Sequence, residues 1–317
     1  MSMWKLRLAA SAFTFAAVLG PHHASARATG PAAAAPLAGA RADPVATQLP
    51  HISIVSVGKG SPVVLIPGLA SPRAVWDGVL PALAKDHRVH LVQVNGFGGD
   101  DPRANLRPGV LAGIVADLHD YIARNRLAGA AVVGHSMGGL VGMMLARDHP
   151  ADVGKLMIVD SLPYFAVLMA PPGVDPTPAM VEPQARAMRE RVVANYGKPT
   201  DPAVIAAQTR GLALKPDSIA AIGTWAAAAD PRVSGQAMYE DLTTDLRPDL
   251  AKLALPITLV YPWNAGGPTK AMADPFYRKQ YAAAPNVTYV DIGDAAHMVM
   301  LDQPAAFQAA LIAFAAK

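Results

Sequence analysis

Residues 130–145 read AAVVGHSMGGLVGMML and combine a short apolar run, a G-x-S-x-G pentapeptide and a second apolar run. The first run, Ala130 to Val133, is typical of a buried strand, and the run after Gly138 is typical of a helix. A strand, a tight turn and a helix in this order form the setting of a nucleophile elbow. The sequence therefore predicts that Ser136 lies on a sharp turn, with its hydroxyl exposed above a sheet. The helix that follows favours negative charge developing near its first residues.

Two further segments, one on each side of the elbow, make the chain similar to the α/β-hydrolase family. The first is Ile66-Pro67-Gly68-Leu69. The second is Ala296-His297 followed by Leu301-Asp302-Gln303-Pro304, which resembles the family ending GHxxxxExP with Ala296 for Gly.

Strand-like and helix-like stretches alternate along most of the chain, which predicts an α/β fold with a mostly parallel central sheet flanked by helices. The family resemblance implies the same fold; it runs from about residue 51 to the C-terminus and is weaker between 162 and 250. In that weaker part the strand-like runs give way to helical stretches that begin at prolines. We therefore expect a hydrolase core at 51–163 and 251–317 and a helical cap insertion at 164–250.

The composition narrows the class of protein. The chain has 317 residues, of which 52% are hydrophobic, enough for one sizeable domain with a true core. Its formal net charge is +3 and it has no run of Lys and Arg suited to a phosphate backbone, so nucleic acid is not expected as a partner. It has no cysteine, which excludes thiol catalysis, disulfides and Cys-ligated metal. We expect no cofactor and no metal; the oligomeric state is not indicated.

The N-terminus has the pattern of an export signal. Lys5 and Arg7 form a basic region, residues 8–19 are apolar, and Ala24-Ser25-Ala26 is a cleavage site of the A-x-A type. The apolar run is shorter than the ~20 residues that span a bilayer, which argues against a lasting membrane anchor. We expect a signal peptide at 1–26, an Ala- and Pro-rich linker at 27–50, and a periplasmic or secreted mature protein.

His297 is the candidate general base. A serine hydroxyl needs a base within hydrogen-bond reach, and that base needs an orienting carboxylate. His297 is the only histidine after Pro150, and it follows the last predicted strand, residues 287–292. In the family this loop returns to the elbow, so the resemblance implies that His297 takes the proton of Ser136. His135 lies inside the elbow, where it is sterically unsuited to that role.

The acid of the triad has more than one candidate. The family usually places it after the strand at 256–261, but the sequence has Asn264 there, and an amide carries no charge. Asp160 directly follows an earlier buried strand, where the haloalkane dehalogenases of the family keep their acid. Asp274 lies further along the usual loop, in the position of a helix N-cap. We expect Asp160, with Asp274 and then Asp294 as the alternatives.

The loop after the first buried strand and the serine nucleophile together indicate the type of reaction. The resemblance implies an oxyanion hole formed by the backbone N–H groups of Leu69 and Met137. A serine nucleophile excludes the dehalogenase and epoxide-hydrolase mechanisms, which need a carboxylate, and fits acyl transfer to water. The sequence thus predicts a serine hydrolase acting on ester bonds of a small to medium, largely apolar molecule. The alternatives are a lactonase or carbon–carbon bond hydrolase on the same triad, or a ligand-binding protein with weak catalysis.

Overall fold

The computed structural model describes residues 46–198 and 201–316, which form an eight-stranded sheet covered by helices. The strands are β1 (Thr47–Gln48), β2 (Ile52–Val57), β3 (Ser61–Ile66), β4 (His87–Val94), β5 (Ala130–His135), β6 (Val153–Val159), β7 (Ile257–Trp263) and β8 (Val287–Gly293). Their order across the sheet is β1-β2-β4-β3-β5-β6-β7-β8. The pairs β1–β2 and β2–β4 are antiparallel, and all other neighbours are parallel. The prediction of a mostly parallel α/β sheet is confirmed.

Ten α-helices connect and cover these strands in the described residues. They are α1 (Leu80–Leu83), α2 (Val110–Asn125), α3 (Met137–Asp148), α4 (Pro178–Val193), α5 (Pro202–Thr209), α6 (Pro216–Ala228), α7 (Pro231–Thr243), α8 (Lys270–Gln280), α9 (Val299–Asp302) and α10 (Pro304–Ala316). In the part of the chain that the structure describes, no helix is both long enough and apolar enough to cross a bilayer.

The core lies on both faces of the sheet. Successive side chains of a strand point to opposite faces. In β3, Val63 and Leu65 therefore enter one buried cluster while Val64 and Ile66 enter the other. The central strands β3, β5 and β6 are apolar on both faces for this reason. Because they are parallel neighbours, their carboxyl ends meet at one edge of the sheet, and the elbow lies there.

The sheet begins earlier than the sequence predicts. The antiparallel strand β1 pairs with β2, and it lies within the last residues of the predicted 27–50 linker. Leu49, which follows β1, packs into the core. A two-residue strand is too short to give a periodic signal, so composition alone extended the linker too far. The predicted signal peptide at 1–26 lies outside the described residues.

The segment between β6 and β7 is helical and is tied to the core by Glu240 of α7. Helix α2 begins after Gly109, which has no side chain to cap it. Instead, the Glu240 carboxylate accepts hydrogen bonds from the N–H groups of Gly109, Val110 and Leu111 at 2.7, 3.1 and 2.8 Å. These are donors with no acceptor inside the helix. The inserted helices thus complete a helix of the core.

Candidate active site

The turn after β5 has the geometry of a nucleophile elbow. Ser136 has φ 53° and ψ −124°, a positive φ that side-chain-bearing residues rarely adopt, and it immediately precedes α3. A Cβ at Gly134 would lie 2.1 Å from the carbonyl oxygen of Gly138, and a Cβ at Gly138 would lie 2.4 Å from that of Ile66. Only glycine fits at either position, so the spacing of the pentapeptide is what allows the turn.

The loop after β3 lies against this elbow. A Cβ at Gly68 would be 3.1 Å from the Cβ of Ser136, so the loop backbone passes beside the serine. Leu69 follows directly in this loop. Met137 is the first residue of α3, so its N–H has no acceptor within the helix. The two residues predicted to donate to an oxyanion therefore belong to two segments that meet at Ser136.

Hydrogen bonds hold the loop that carries His297. The Asp302 carboxylate accepts from the Ala296 N–H at 2.9 Å. Asn264 donates through Nδ2 to the Ala295 carbonyl oxygen, also at 2.9 Å. Asn264 occupies the usual acid position of the family, so it fixes the histidine loop there without supplying a charge.

His135 links this loop to the elbow. Its Nε2 lies 3.0 Å from the carbonyl oxygen of His297, so Nε2 carries the proton and donates. Burial, followed by the neighbouring His297, lowers the pKa of His135 to about 3, and the ring is neutral at ordinary pH. The two rings lie 4.5 Å apart between centroids. His135 is therefore occupied in positioning His297.

The Asp160 carboxylate faces the His297 ring. Its Oδ2 lies 2.7 Å from Nδ1 of His297, and the carboxylate is buried. Asp160 directly follows β6, the neighbour of β5, and its N–H donates to the Val260 carbonyl oxygen at 2.8 Å. No hydrogen bond joins Ser136 Oγ to the His297 ring in the described residues. Such contacts often tighten only in the complex with substrate.

The two alternative acids have other surroundings. Asp274 lies inside α8 rather than at its N-cap, so the predicted helix start at this residue is wrong. Its carboxylate accepts from the Tyr261 hydroxyl at 2.8 Å and pairs with Lys270 Nζ at 3.1 Å. Asp294 is exposed, and its carbonyl oxygen accepts from Gln303 Nε2 at 2.9 Å. Asp160 is the carboxylate that contacts His297.

Tyr277 of α8 and Tyr281, the residue that follows α8, contact the same region and were missed in the sequence. The Tyr277 hydroxyl donates to Asp160 Oδ1. The Tyr281 hydroxyl donates to the backbone carbonyl of Ser161 at 2.9 Å. Burial, followed by the charge of Asp160, raises the pKa of both hydroxyls well above the usual range, so both remain protonated donors. Their spacing of four residues on one helix face was the available signal.

Backbone strain is concentrated at this edge of the sheet. Six non-glycine residues of the described chain have a positive φ, and four of them lie in the loops around the elbow. These four are Ala70, Ser136, Asp160 and Asp294. Strained residues persist where the surroundings impose them, and they cluster at functional sites. The clustering supports a functional role for this edge.

One group of side chains elsewhere has the residue types of a metal site. His119, His149 and Asp152 each offer a ligand atom within 4.8 Å of the others. The two imidazole rings, however, are stacked at 3.7 Å with an angle of 12° between their planes. An imidazole nitrogen binds a metal in its own ring plane, and one ion cannot lie in two parallel planes. In the described residues, His119 Nδ1 instead forms a hydrogen bond with Asp152 Oδ2 at 2.7 Å. The His149 ring stacks on the His119 ring.

The chain matches a known protein family. Residues 63–310 match the family described as the alpha/beta hydrolase family, and the chain belongs to it. The chain is 32% identical over 218 residues to a pimeloyl-[acyl-carrier protein] methyl ester esterase of Aeromonas hydrophila, covering 66% of this chain and 79% of that protein.

Solved structures share the fold at lower sequence identity. A thermophilic esterase from Thermogutta terrifontis has a TM-score of 0.68 at 21% identity, covering 85% of this chain and 97% of that one. An enol-lactonase from Burkholderia xenovorans has a TM-score of 0.61 at 18% identity, covering 84% and 96%. These similarities support the family assignment through the fold alone.

Proposed function

We propose that the protein is a serine hydrolase that cleaves ester bonds of a small to medium, largely apolar substrate through an acyl-enzyme on Ser136. The observation that carries the proposal is the buried contact between Asp160 and His297 beside a strained serine at the head of a helix. The relative that hydrolyses a methyl ester supports an ester as the substrate class.

Each group has a defined task in the proposed reaction. His297 Nδ1 donates to Asp160, which leaves Nε2 unprotonated and able to accept the Ser136 proton. As the proton leaves, Ser136 Oγ bonds to the ester carbon, and the N–H groups of Leu69 and Met137 stabilise the oxyanion. His297 then protonates the departing alcohol. Water attacks the acyl-enzyme by the same steps and releases the acid.

Covalent labelling tests the nucleophile. A fluorophosphonate is expected to label the wild-type protein at Ser136, with the modified peptide identified by mass spectrometry, and to leave Ser136→Ala unlabelled. Ser136→Ala is also expected to lose hydrolysis of p-nitrophenyl esters of graded chain length while it remains folded. Labelling without ester turnover would point to a lactone or another acyl substrate, and lactones belong in the same panel.

The chain offers a matched control. Ser61 Oγ lies 2.8 Å from His87 Nδ1, a second contact between a serine and a histidine, at the start of β3. Ser61→Ala is expected to keep both labelling and turnover, because Ser61 has neither the elbow nor the oxyanion donors. A folded Ser136→Ala protein with wild-type turnover, or a label on a different residue, contradicts the proposal. A protein that takes no label and hydrolyses nothing is the ligand-binding alternative.

A further inference from the structure

The Tyr277 hydroxyl contacts the proposed acid Asp160, and the proposed function gives this hydroxyl no role. The Asp160 carboxylate is buried and has two oxygens, of which Oδ2 contacts His297. The other oxygen accepts from the Tyr277 hydroxyl. A buried carboxylate keeps its charge only where donors surround it. Tyr277 thus donates a hydrogen bond to Oδ1, as His297 does to Oδ2.

The helix holds this hydroxyl rigidly. The Tyr277 ring is fully buried and stacks on Tyr261 with centroids 4.7 Å apart and 25° between planes. Tyr261 is itself fixed by its hydrogen bond to Asp274 at 2.8 Å. Phe276 packs edge-on against Tyr277 at 5.3 Å. The ring therefore has one orientation, and its hydroxyl fixes the rotation of the Asp160 carboxylate.

We infer that Tyr277 is a positioning residue, which orients Asp160 toward His297 and stabilises its negative charge through the Oδ1 hydrogen bond. The inference rests on the proposed function of Ser136, His297 and Asp160. Helix α8 follows Asn264, which stands at the family's usual acid position and carries no charge. The inference is that this helix instead supports Asp160, the acid that follows β6.

Loss of the Tyr277 hydroxyl is expected to change the pH dependence of the reaction. The pair of His297 and Asp160 carries a net negative charge when unprotonated and none when it has taken up a proton. A donor on Oδ1 stabilises the charged form more, so its loss makes the pair take up a proton more readily. Among the described residues, His135 and Tyr281 are the other titratable groups that face the pair. His135 is neutral, and Tyr281 is a protonated donor to a backbone carbonyl.

Tyr277→Phe tests the inference because it removes the hydroxyl and keeps the stacked ring. On the pH plateau, kcat is expected to fall about ten-fold, which corresponds to about 1.4 kcal/mol, with KM within about two-fold. The acid limb of the kcat profile is expected to move to higher pH by about one unit, the same energy. Titration with a fluorophosphonate counts the active molecules, so partial unfolding does not affect either value.

Tyr281→Phe is the matched control. It removes the buried hydroxyl of the tyrosine directly after the same helix, but that hydroxyl donates to the Ser161 carbonyl and not to the carboxylate. It is expected to keep the wild-type acid limb. If Tyr277→Phe matches Tyr281→Phe in both kcat and acid limb, the inference is wrong, while the loss of labelling in Ser136→Ala still supports the proposed function. If Ser136→Ala retains labelling and turnover, the proposed function itself fails.

Discussion

Replacing Asp160 by Asn tests the proposed triad at the member that does not occupy the family's usual position. The change keeps the size of the side chain and removes its charge. Tyr277 donates to Oδ1, so the oxygen of the new amide is held toward Tyr277. The amide nitrogen then faces His297 Nδ1 across the present 2.7 Å contact and donates to it. This places the His297 proton on Nε2, where it blocks transfer from Ser136.

The expected magnitude follows from this wrong tautomer. In a protease triad, the same substitution lowers kcat by about 10⁴, equivalent to about 5 kcal/mol of transition-state stabilisation. We expect a loss of this order in Asp160→Asn, with KM little changed, because the substrate does not touch the carboxylate. The fold is expected to persist, since both hydrogen bonds of the side chain can still form.

The assay is steady-state hydrolysis of a p-nitrophenyl ester, with active molecules counted by fluorophosphonate labelling. Asp274→Asn is the matched control: its carboxylate is partly exposed and bonds Tyr261 and Lys270. That variant is expected to keep kcat within about two-fold and to lose less than ~1 kcal/mol of stability. Activity of Asp160→Asn within ten-fold of the wild type, or a larger loss in Asp274→Asn, would refute the assignment.

Two further predictions concern stability and export. Asp241 is buried with no partner for Oδ1, and burial raises its pKa well above the usual range. The unfolded chain ionises it near pH 4, so the wild type loses stability as the pH rises from about 4 to the raised pKa of the folded state. The stability advantage of Asp241→Asn in urea melts is expected to grow by up to about 1.4 kcal/mol per pH unit, whereas a constant difference contradicts this. Separately, mass spectrometry of protein from the envelope fraction is expected to find cleavage after Ala26; an intact Met1 in a cytosolic fraction contradicts export.

The sequence predicts the fold and the elbow because these depend on local patterns. Apolar runs such as those of β3 and β5 are long enough to show burial on both faces, and five residues around Ser136 determine the turn. The position of Asp160 could also be predicted, because it directly follows the strand beside β5. His297 needed no spacing argument, since the later part of the chain has no other histidine.

The surroundings of Asp160 could not be predicted, because they depend on how α8 packs. Asp274-Pro275 has the pattern of a helix start, yet the helix begins at Lys270 and includes the proline. The apolar face containing Ala273, Phe276 and Tyr277 is buried against the sheet, and this packing outweighs the hydrogen bond that a proline removes. Only that packing shows that Tyr277 reaches the carboxylate.

The hydrogen bonds from the start of α2 to Glu240 limit which segments of this chain can be exchanged with those of a relative. The N–H groups of Gly109, Val110 and Leu111 at the start of α2 have no side-chain acceptor at the N-cap position, because Gly109 has no side chain. A chimera that exchanges the inserted helices for those of a relative removes Glu240 and leaves these donors without a partner. Its defect then appears in a core helix, far in sequence from either junction. A successful graft must therefore carry a carboxylate to the same helix end.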